Sequence, residues 1–174
     1  MEIKILTKND SELYFPEILE MLKRADGEFV PPLSSRSSTT QSSLVGNAST
    51  PEGILLYFEE MKKQRLAVAL DNGELVAFMS YRENYLTDTV TEVPNVYLST
   101  LIVKPEGRGK GLTQIMYGEL FKAYPDRCVY TRTWSTNAAH TKILSRLGFD
   151  ILKVIENDRG EGIDTVYFVK RGVK

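Results

Sequence analysis

The residues best placed for chemistry lie in a glycine-rich segment that joins a strand-like run to a helix-like run. Residues 101–103 (LIV) end an apolar stretch, and residues 108–113 (RGKGLT) open an amphipathic pattern. At the start of a helix, the unpaired amide N–H groups and the positive end of the helix dipole together form a site that attracts an anion. Glycine, which has no side chain, lets the anion approach the backbone closely. Arg108, Lys110 and Thr113 add two positive charges and a hydroxyl donor. The segment therefore predicts a site for a phosphate-bearing ligand.

Two well-known phosphate-binding patterns do not fit this segment. A P-loop requires Ser or Thr after its Gly-Lys pair, whereas Gly111 follows Lys110. The dinucleotide fingerprint starting at Gly107 requires glycine at position 112, which is Leu112. A glycine-rich turn is a weak pattern by itself, and these glycines could simply form a tight strand-to-helix turn. The residues alone leave both interpretations open.

The surrounding pattern predicts the elements that must position this turn. Strands are predicted at 1–6, 65–70, 74–82, 95–103, 128–134, 149–155 and 164–169. Helices are predicted near 10–22, from 51 to 61, from the glycine-rich turn to about 124, and at 137–147. On the second helix Ile54, Leu55, Phe58 and Met61 are expected to face inward, and on the third Leu112, Ile115, Met116 and Leu120. Residues 31–50, rich in Ser and Thr, predict a long loop with little to bury.

Composition excludes several classes of protein. The 174 residues are 42% hydrophobic and 26% charged, with 22 basic and 23 acidic side chains. These values predict a cytoplasmic globular protein that does not bind nucleic acid, because no positive field covers it. No apolar run is long enough for a membrane span, so no membrane association is expected. One cysteine and one histidine exclude a disulfide and the common zinc sites, so no metal is expected.

Two motifs in the same order resemble a known family. Arg108-x-x-Gly111-x-Thr113 after a strand is similar to the cofactor signature of the GNAT superfamily of N-acetyltransferases, Arg/Gln-x-x-Gly-x-Gly/Ala. Downstream, residues 137–149 (NAAHTKILSRLGF) resemble the family's Asn-helix-Gly-Phe block, and the hairpin at 71–73 also lies where the family has one. The resemblance extends over nearly the whole chain, and two ordered motifs are more specific than either alone.

The resemblance implies both a fold and a cofactor. The implied fold is α/β (α+β), one domain over 1–174 with a mixed, mostly antiparallel central sheet flanked by helices. The implied co-substrate is acetyl-CoA, with its pantetheine arm on the backbone of 101 and 103 and beside Asn137, and its pyrophosphate on the amides of 108–113. The residues assigned to the cofactor in this way are Leu101, Ile102, Val103, Arg108, Gly109, Lys110, Gly111, Leu112, Thr113 and Asn137.

Two positions depart from the family pattern. Thr113 replaces the usual small Gly or Ala, and Leu144 stands where many members carry a tyrosine that protonates the departing thiolate. No catalytic residue can therefore be assigned. The resemblance implies direct transfer of an acetyl group to an amine of a small molecule or peptide. A backbone N–H of 101–103 would polarise the thioester carbonyl during this transfer. The missing tyrosine keeps a non-catalytic acyl-CoA sensor open, and more weakly a regulatory domain for another nucleotide. A homodimer is also left open.

Other chemistry-bearing residues have simpler interpretations. His140 shares a stripe with apolar residues and is interpreted as packed, and Cys128 as an inert core thiol. Ser99 and Thr100 border the expected acetyl position, where hydroxyls could at most hold a water. The remaining candidates are the loop charges Asp88 and Glu92, which could attract a cationic amine, and the aromatic residues Tyr81, Tyr97 and Trp134, which could line an acceptor pocket.

Overall fold

A single seven-stranded sheet organises the chain, in the order β1-β2-β3-β4-β5-β7-β6. The computed structural model describes residues 1–41, 43–44 and 48–172. The strands are β1 Glu2–Ile5, β2 Arg65–Asp71, β3 Glu74–Glu83, β4 Asn95–Val103, β5 Cys128–Trp134, β6 Asp150–Ile155 and β7 Thr165–Lys170. The helices are α1 Lys8–Glu12, α2 Phe15–Ala25, α3 Pro51–Met61, α4 Leu112–Ala123 and α5 Ala138–Arg146. Only β4 and β5 pair in parallel, so the predicted mixed, mostly antiparallel sheet is confirmed.

Helices cover both faces of the sheet. On one face α4 and α5 pack against side chains that include Val96, Leu98 and Val129. On the other face α2 and α3 pack against side chains that include Val68, Phe78 and Ile102. Successive strand residues point to opposite faces, which is why neighbouring residues of one strand belong to different core layers. In the described part of the chain, no helix has both the length and the apolar character needed to cross a membrane.

Most helix starts follow the local chemistry expected of them. Thr50 accepts a hydrogen bond from the amide of Gly53 at the start of α3, and Pro51 occupies its first turn. The first helical region differs, because a short α1 capped by Thr7 precedes α2, which begins beside Pro16. The 10–22 helix is therefore two helices.

Two predicted inward positions are wrong. Leu55 and Ile115 are exposed, whereas Tyr57 and Tyr117 on the same helices are fully buried. Each buried tyrosine has a polar partner: the Tyr57 hydroxyl lies 2.6 Å from Thr100 Oγ1, and the Tyr117 hydroxyl lies 3.2 Å from His140 Nε2. Apolar periodicity does not count tyrosine as a core residue, although its ring can be buried when its hydroxyl is hydrogen-bonded.

The described part of the 31–50 loop is partly buried, which corrects the expectation that it had little to bury. Leu33, Ser34 and Ser35 form a 3₁₀ turn and all three are buried. Arg36 is only 6% exposed. Positions 42 and 45–47 of this loop lie outside the described residues.

Strands β4 and β5 separate halfway along their length. They pair only from Asn95 and Cys128 to Leu98 and Thr131, although both strands continue. At the end of the paired region Ser99 is a bulge, because Leu98 and Thr100 face consecutive residues of β3. A bulge adds one unpaired residue and bends its strand. The sheet therefore opens into a wedge between β4 and β5.

Candidate functional site

The wedge between β4 and β5 forms a cleft of about 340 Å³. Residues beyond the last β4–β5 pair line its two walls, and residues just after α2 and at the starts of α4 and α5 close it. The lining residues that matter below are Glu28, Phe29, Ser99, Leu101, Ile102, Val103, Arg108, Thr113, Arg132, Trp134, Asn137 and His140.

One edge of β4 lacks a neighbouring strand along this cleft. Thr131 Oγ1 donates to the Leu98 carbonyl at 3.1 Å, at the last paired position of β4 and β5. From Ser99 to Val103, no described strand pairs with that edge of β4, while β3 continues on the other edge. Backbone groups on a free strand edge are available to pair with an extended ligand.

The turn from 108 to 111 leads directly to α4. Gly109 and Gly111 have φ values of +74° and +72°, a conformation that side chains disfavour. Gly111 is the N-cap residue of α4 and has no side chain that could cap the helix. The first backbone hydrogen bond of the helix runs from the Ile115 amide to the Gly111 carbonyl. The amides of residues 112–114 therefore have no acceptor within the helix, as at any helix start. A Cβ at Gly109 would have nothing within 4 Å, and one at Gly111 would meet only the Gln114 side-chain oxygen at 3.9 Å, so a ligand can approach here.

Arg108 is held beside the turn by two contacts. Its Nη2 donates to both carboxylate oxygens of Glu28, at 2.9 and 2.8 Å, and its Nε donates to the Val103 carbonyl at 3.1 Å. Both charged side chains are about half exposed. Pairs of this kind contribute little to stability because water screens them. Arg108 can therefore exchange Glu28 for a stronger anion at small cost.

The structure brings most of the predicted cofactor residues to one place. Six line the cleft: Leu101, Ile102, Val103, Arg108, Thr113 and Asn137. Gly109, Lys110 and Gly111 form the turn beside it, where the Lys110 ammonium lies 4.0 Å from an Asp71 carboxylate oxygen. Leu112 differs, because its side chain is buried in the core. Only its backbone amide, in the first turn of α4, could contact the cofactor.

Asn137 begins α5 at the edge of the cleft. Its Oδ1 accepts from the His140 amide at 3.3 Å, and its Nδ2 donates to Thr133 Oγ1 at 3.0 Å. These bonds make Asn137 the cap of α5 and fix its side chain at the cleft wall. Its position there is compatible with the predicted contact, and its capping role explains the residue type independently.

His140 lies in the cleft wall but is held as a neutral group. Burial lowers its pKa to about 4, and its Nε2 shares a hydrogen bond with the buried Tyr117 hydroxyl. Burial also raises the pKa of Tyr117, so neither group is charged near neutral pH. This agrees with a packed histidine, although the side chain also borders the cleft.

Leu144, at the family's tyrosine position, is fully buried within the core beside α4. A tyrosine there would have to fit into a packed core, where added volume is costly.

The two hydroxyl residues of β4 have different roles. Ser99 lines the cleft at the bulge, and its Oγ donates to Gln64 Oε1 and lies 3.2 Å from the Ser80 carbonyl. Thr100 is buried and bonded to Tyr57, so it does not reach the cleft. Ser99 alone is placed to hold a water near a reacting carbonyl.

The remaining candidates fall away from the cleft, with Trp134 as the exception. Glu92 is paired with Arg171 at 2.9 Å, and Asp88 lines a separate pocket beside Tyr97. Tyr81 is fully buried with its hydroxyl 3.2 Å from that of Tyr124. Cys128 is half-buried rather than fully in the core, and burial raises the pKa of its thiol, as expected of an unreactive one.

Trp134 lines the cleft, where the sequence analysis had placed it as a candidate, but Phe29 and the arginines around it were not among the sequence candidates. Phe29 and Trp134 contact each other in the cleft wall, with ring centroids 5.6 Å apart and ring planes tilted by 53°, and Arg132 lines the same cleft. Two further arginines stand behind these rings: Arg36 lies 5.5 Å from the Phe29 centroid, and Arg159 lies 5.8 Å from that of Trp134. The only available hint was Arg36, a basic residue inside a Ser/Thr run.

The chain belongs to the acetyltransferase (GNAT) family, whose sequence model matches residues 35–149. The matched region contains β4, the 108–113 turn, α4, β5 and α5, and therefore most of the cleft. No curated protein sequence matches the chain.

Solved structures with the same fold agree with this assignment. A ribosomal-protein-alanine N-acetyltransferase from Brucella melitensis is 16% identical, with 98% of this chain and 99% of that chain covered and a TM-score of 0.67. The Salmonella typhimurium protein yncA, solved with its cofactor acetyl-CoA, is 16% identical, with 100% and 95% covered and a TM-score of 0.67. An aminoglycoside 6'-N-acetyltransferase complexed with coenzyme A is 17% identical, with 100% and 98% covered and a TM-score of 0.67. At these identities the likeness concerns the fold.

Proposed function

We propose that the chain is an acetyl-CoA-dependent N-acetyltransferase that transfers an acetyl group directly to an amine in a ternary complex. The observation that carries this proposal is the opening of β4 from β5 beside the start of α4, where the first amides have no acceptor within the helix. The free strand edge suits an extended pantetheine arm, and the amides suit a pyrophosphate. Both lie inside the region that matches the GNAT family.

The residues present fit acetyl-CoA in named ways. The backbone of Leu101 and Val103 would pair with the pantetheine amides, as an added strand would. The amides of 109–114 would receive the pyrophosphate, rather than those of 108–113, because the Arg108 amide already donates to the Pro105 carbonyl at 3.2 Å. The Arg108 side chain, released from Glu28, would add a positive charge. Glycine at 109 and 111 leaves the space for phosphate oxygens.

The chemical step requires little from a dedicated acid or base. A neutral amine would attack the thioester carbonyl, whose oxygen would be polarised by a β4 backbone N–H. The new C–N bond forms, the attacking nitrogen gives its extra proton to water, and the C–S bond breaks to release CoA thiolate. A thiol pKa near 8.5 makes this thiolate a fairly good leaving group, so water can protonate it. Alignment of amine and thioester would provide much of the acceleration.

The buried Leu144 favours a second candidate, a non-catalytic acyl-CoA-binding sensor. The two candidates share the cofactor and differ in turnover. An acetyl-CoA assay with a broad amine panel, monitoring free thiol, should give steady CoA release above spontaneous hydrolysis with at least one amine. Acetyl-CoA binding without release from any amine would favour the sensor. Absence of acetyl-CoA binding by calorimetry would reject both.

A further inference from the structure

Three arginines converge on the same side of the cleft, opposite α4 and α5. Arg132 lines the cleft directly, whereas Arg36 and Arg159 lie behind the rings of Phe29 and Trp134. Arg36 and Arg159 are each only 6% exposed. Arginine is seldom buried unless an anion accompanies it.

The hydrogen-bond partners of these arginines are all neutral. Arg36 donates from Nε and Nη2 to the Pro31 carbonyl, at 3.2 and 2.8 Å. Arg132 donates to the Gln41 carbonyl at 2.6 Å and to the Tyr167 hydroxyl at 3.2 Å. Arg159 donates to the Val30 carbonyl at 2.7 Å and to Thr165 Oγ1 at 2.9 Å. These bonds use two of the five N–H donors of each guanidinium group.

The charge of the cluster is incompletely balanced. Within the described residues, no carboxylate lies within 4.0 Å of these three side chains. The carboxylates that act on them at longer range are Asp26 and Asp158, and each already accepts hydrogen bonds from neutral groups. Burial, and then the positive charges of Arg36 and Arg132, lower the pKa of Arg159 to about 9. The cluster is thus a positive region that a further anion would stabilise.

From this geometry we infer that the acceptor is an amine that also carries an anionic group, a carboxylate or a phosphate. Arg132 binds that group at the cleft, and Arg36 and Arg159 reinforce its field from behind the two rings. The inference rests on the proposed acetyltransferase function and adds the chemical class of the acceptor. A guanidinium group offers a planar pair of donors that matches both anions. The adjoining rings of Phe29 and Trp134 would contact the apolar part of the same molecule.

The arginines also anchor the segment from Val30 to Gln41, so a purely structural role must be separated from anion binding. Wild-type selectivity does this without any substitution. The panel would contain matched triplets: an L-amino acid, its amide, and the amine without the carboxyl group, together with phosphoethanolamine and ethanolamine. We expect kcat/KM at least tenfold higher for the anionic member of a set, because a site built to hydrogen-bond a group rejects analogues that lack it. The α-amine of an amino acid amide is less basic than that of the amino acid, so more of it is in the neutral, reactive form. The expected preference for the amino acid therefore runs against intrinsic reactivity.

Variants and a binding assay complete the test. Arg132→Gln should reduce the anionic preference at least tenfold and Arg132→Lys should retain part of it, whereas Arg171→Gln, at an exposed pair far from the cleft, should leave it unchanged. In parallel, N-acetyl amino acids should raise the melting temperature in the presence of CoA more than N-acetyl amino amides do. If only the amino acids are preferred over their neutral analogues, the anion is a carboxylate. If only phosphoethanolamine is preferred over ethanolamine, the anion is a phosphate.

Each outcome decides the inference. Equal use of anionic and neutral amines, or equal melting shifts from acids and amides, would overturn it even if acetyl-CoA binds and turnover is clear. A preference that survives Arg132→Gln would overturn the assignment of Arg132. Failure of acetyl-CoA to bind would instead reject the proposed function; the same melting shifts, repeated with the acids and amides in the absence of CoA, would then report on the anion site alone.

Discussion

His140 borders the cleft as a neutral imidazole because burial opposes its charged form. Its pKa is lowered from 6.5 to about 4, and its Nε2 is hydrogen-bonded to Tyr117. At neutral pH it cannot act as a cationic acid, and with this pKa it is a weak base. Its contribution is therefore expected in stability rather than in turnover.

The pH dependence of stability tests this assignment. Between pH 6.5 and 4 the unfolded chain binds a proton at His140 that the folded chain does not, so the free energy of unfolding decreases as pH falls through that window. We expect a loss of roughly 2 kcal/mol from this group between pH 7 and pH 5. Urea unfolding at both pH values should show the loss in wild type and a smaller one in His140→Gln. Equal losses would contradict a buried neutral histidine.

The same variant should keep any acetyl-transfer turnover within about tenfold of wild type. Removal of a general base typically costs 10²–10⁴-fold. A loss of that size in folded His140→Gln would show that the imidazole takes part in the chemistry.

At the scale of elements, α3 and the 33–36 turn support the cleft jointly. The turn carries Arg36, and Ser34 accepts from the Thr50 amide at 3.3 Å through its carbonyl. A Cβ at Gly53 would lie 1.7 Å from that carbonyl oxygen, so only glycine permits this approach. The packing of α3 thereby fixes the segment that positions Arg36.

Gly53→Ala should therefore destabilise the protein by about 1–3 kcal/mol, the usual cost of forcing extra volume into a packed contact. Gly118→Ala is the matched control, because Gly118 lies inside α4 with nothing within 4 Å of its would-be Cβ. The control should be neutral or stabilising by up to about 1 kcal/mol. Urea unfolding of both variants measures the difference. A neutral Gly53→Ala would mean that the turn moves freely against α3.

The sequence predicts those elements whose signals are local. The hairpin turn at 71–73, the strand 95–103 and the glycine-rich start of α4 each have a periodic pattern or a turn residue that identifies them, and all three are found. The position of the glycine-rich turn between β4 and α4 was therefore predictable from the sequence, whereas its phosphate-binding role stays a prediction.

The other half of the site depends on contacts between distant parts of the chain. Arg36, Arg132 and Arg159 come from a loop, a strand and a turn, and no spacing in the sequence relates them. The 33–36 turn is buried by α2 and α3 rather than by its own composition. Apolar periodicity assigns arginine and tyrosine to the surface. Here hydrogen-bond partners from distant parts of the chain allow these side chains to be buried.

At the scale of the whole molecule, a continuous sheet is opened at one place, and both proposed ligands use that opening. The β3–β4 pairing continues to Val103 and holds one wall rigid, while β7 pairs along the full length of β5 and holds the other. The cofactor would enter beside α4 and the acceptor beside α2 and the 33–36 turn. The amine acceptor stays a prediction, and the homodimer stays the open alternative that it was from the sequence.

Backbone amide chemical shifts during an acetyl-CoA titration test the central claim most directly. The account predicts saturable shifts at residues 99–103 of β4 and at residues 109–114, with smaller changes on the outer strands β1 and β6. The Gly111→Ala variant should bind acetyl-CoA at least tenfold more weakly, since its side chain enters the phosphate space and strains a residue at φ +72°. Saturation of the protein with acetyl-CoA without shifts at 99–103 and 109–114, or no binding at all, would contradict the account.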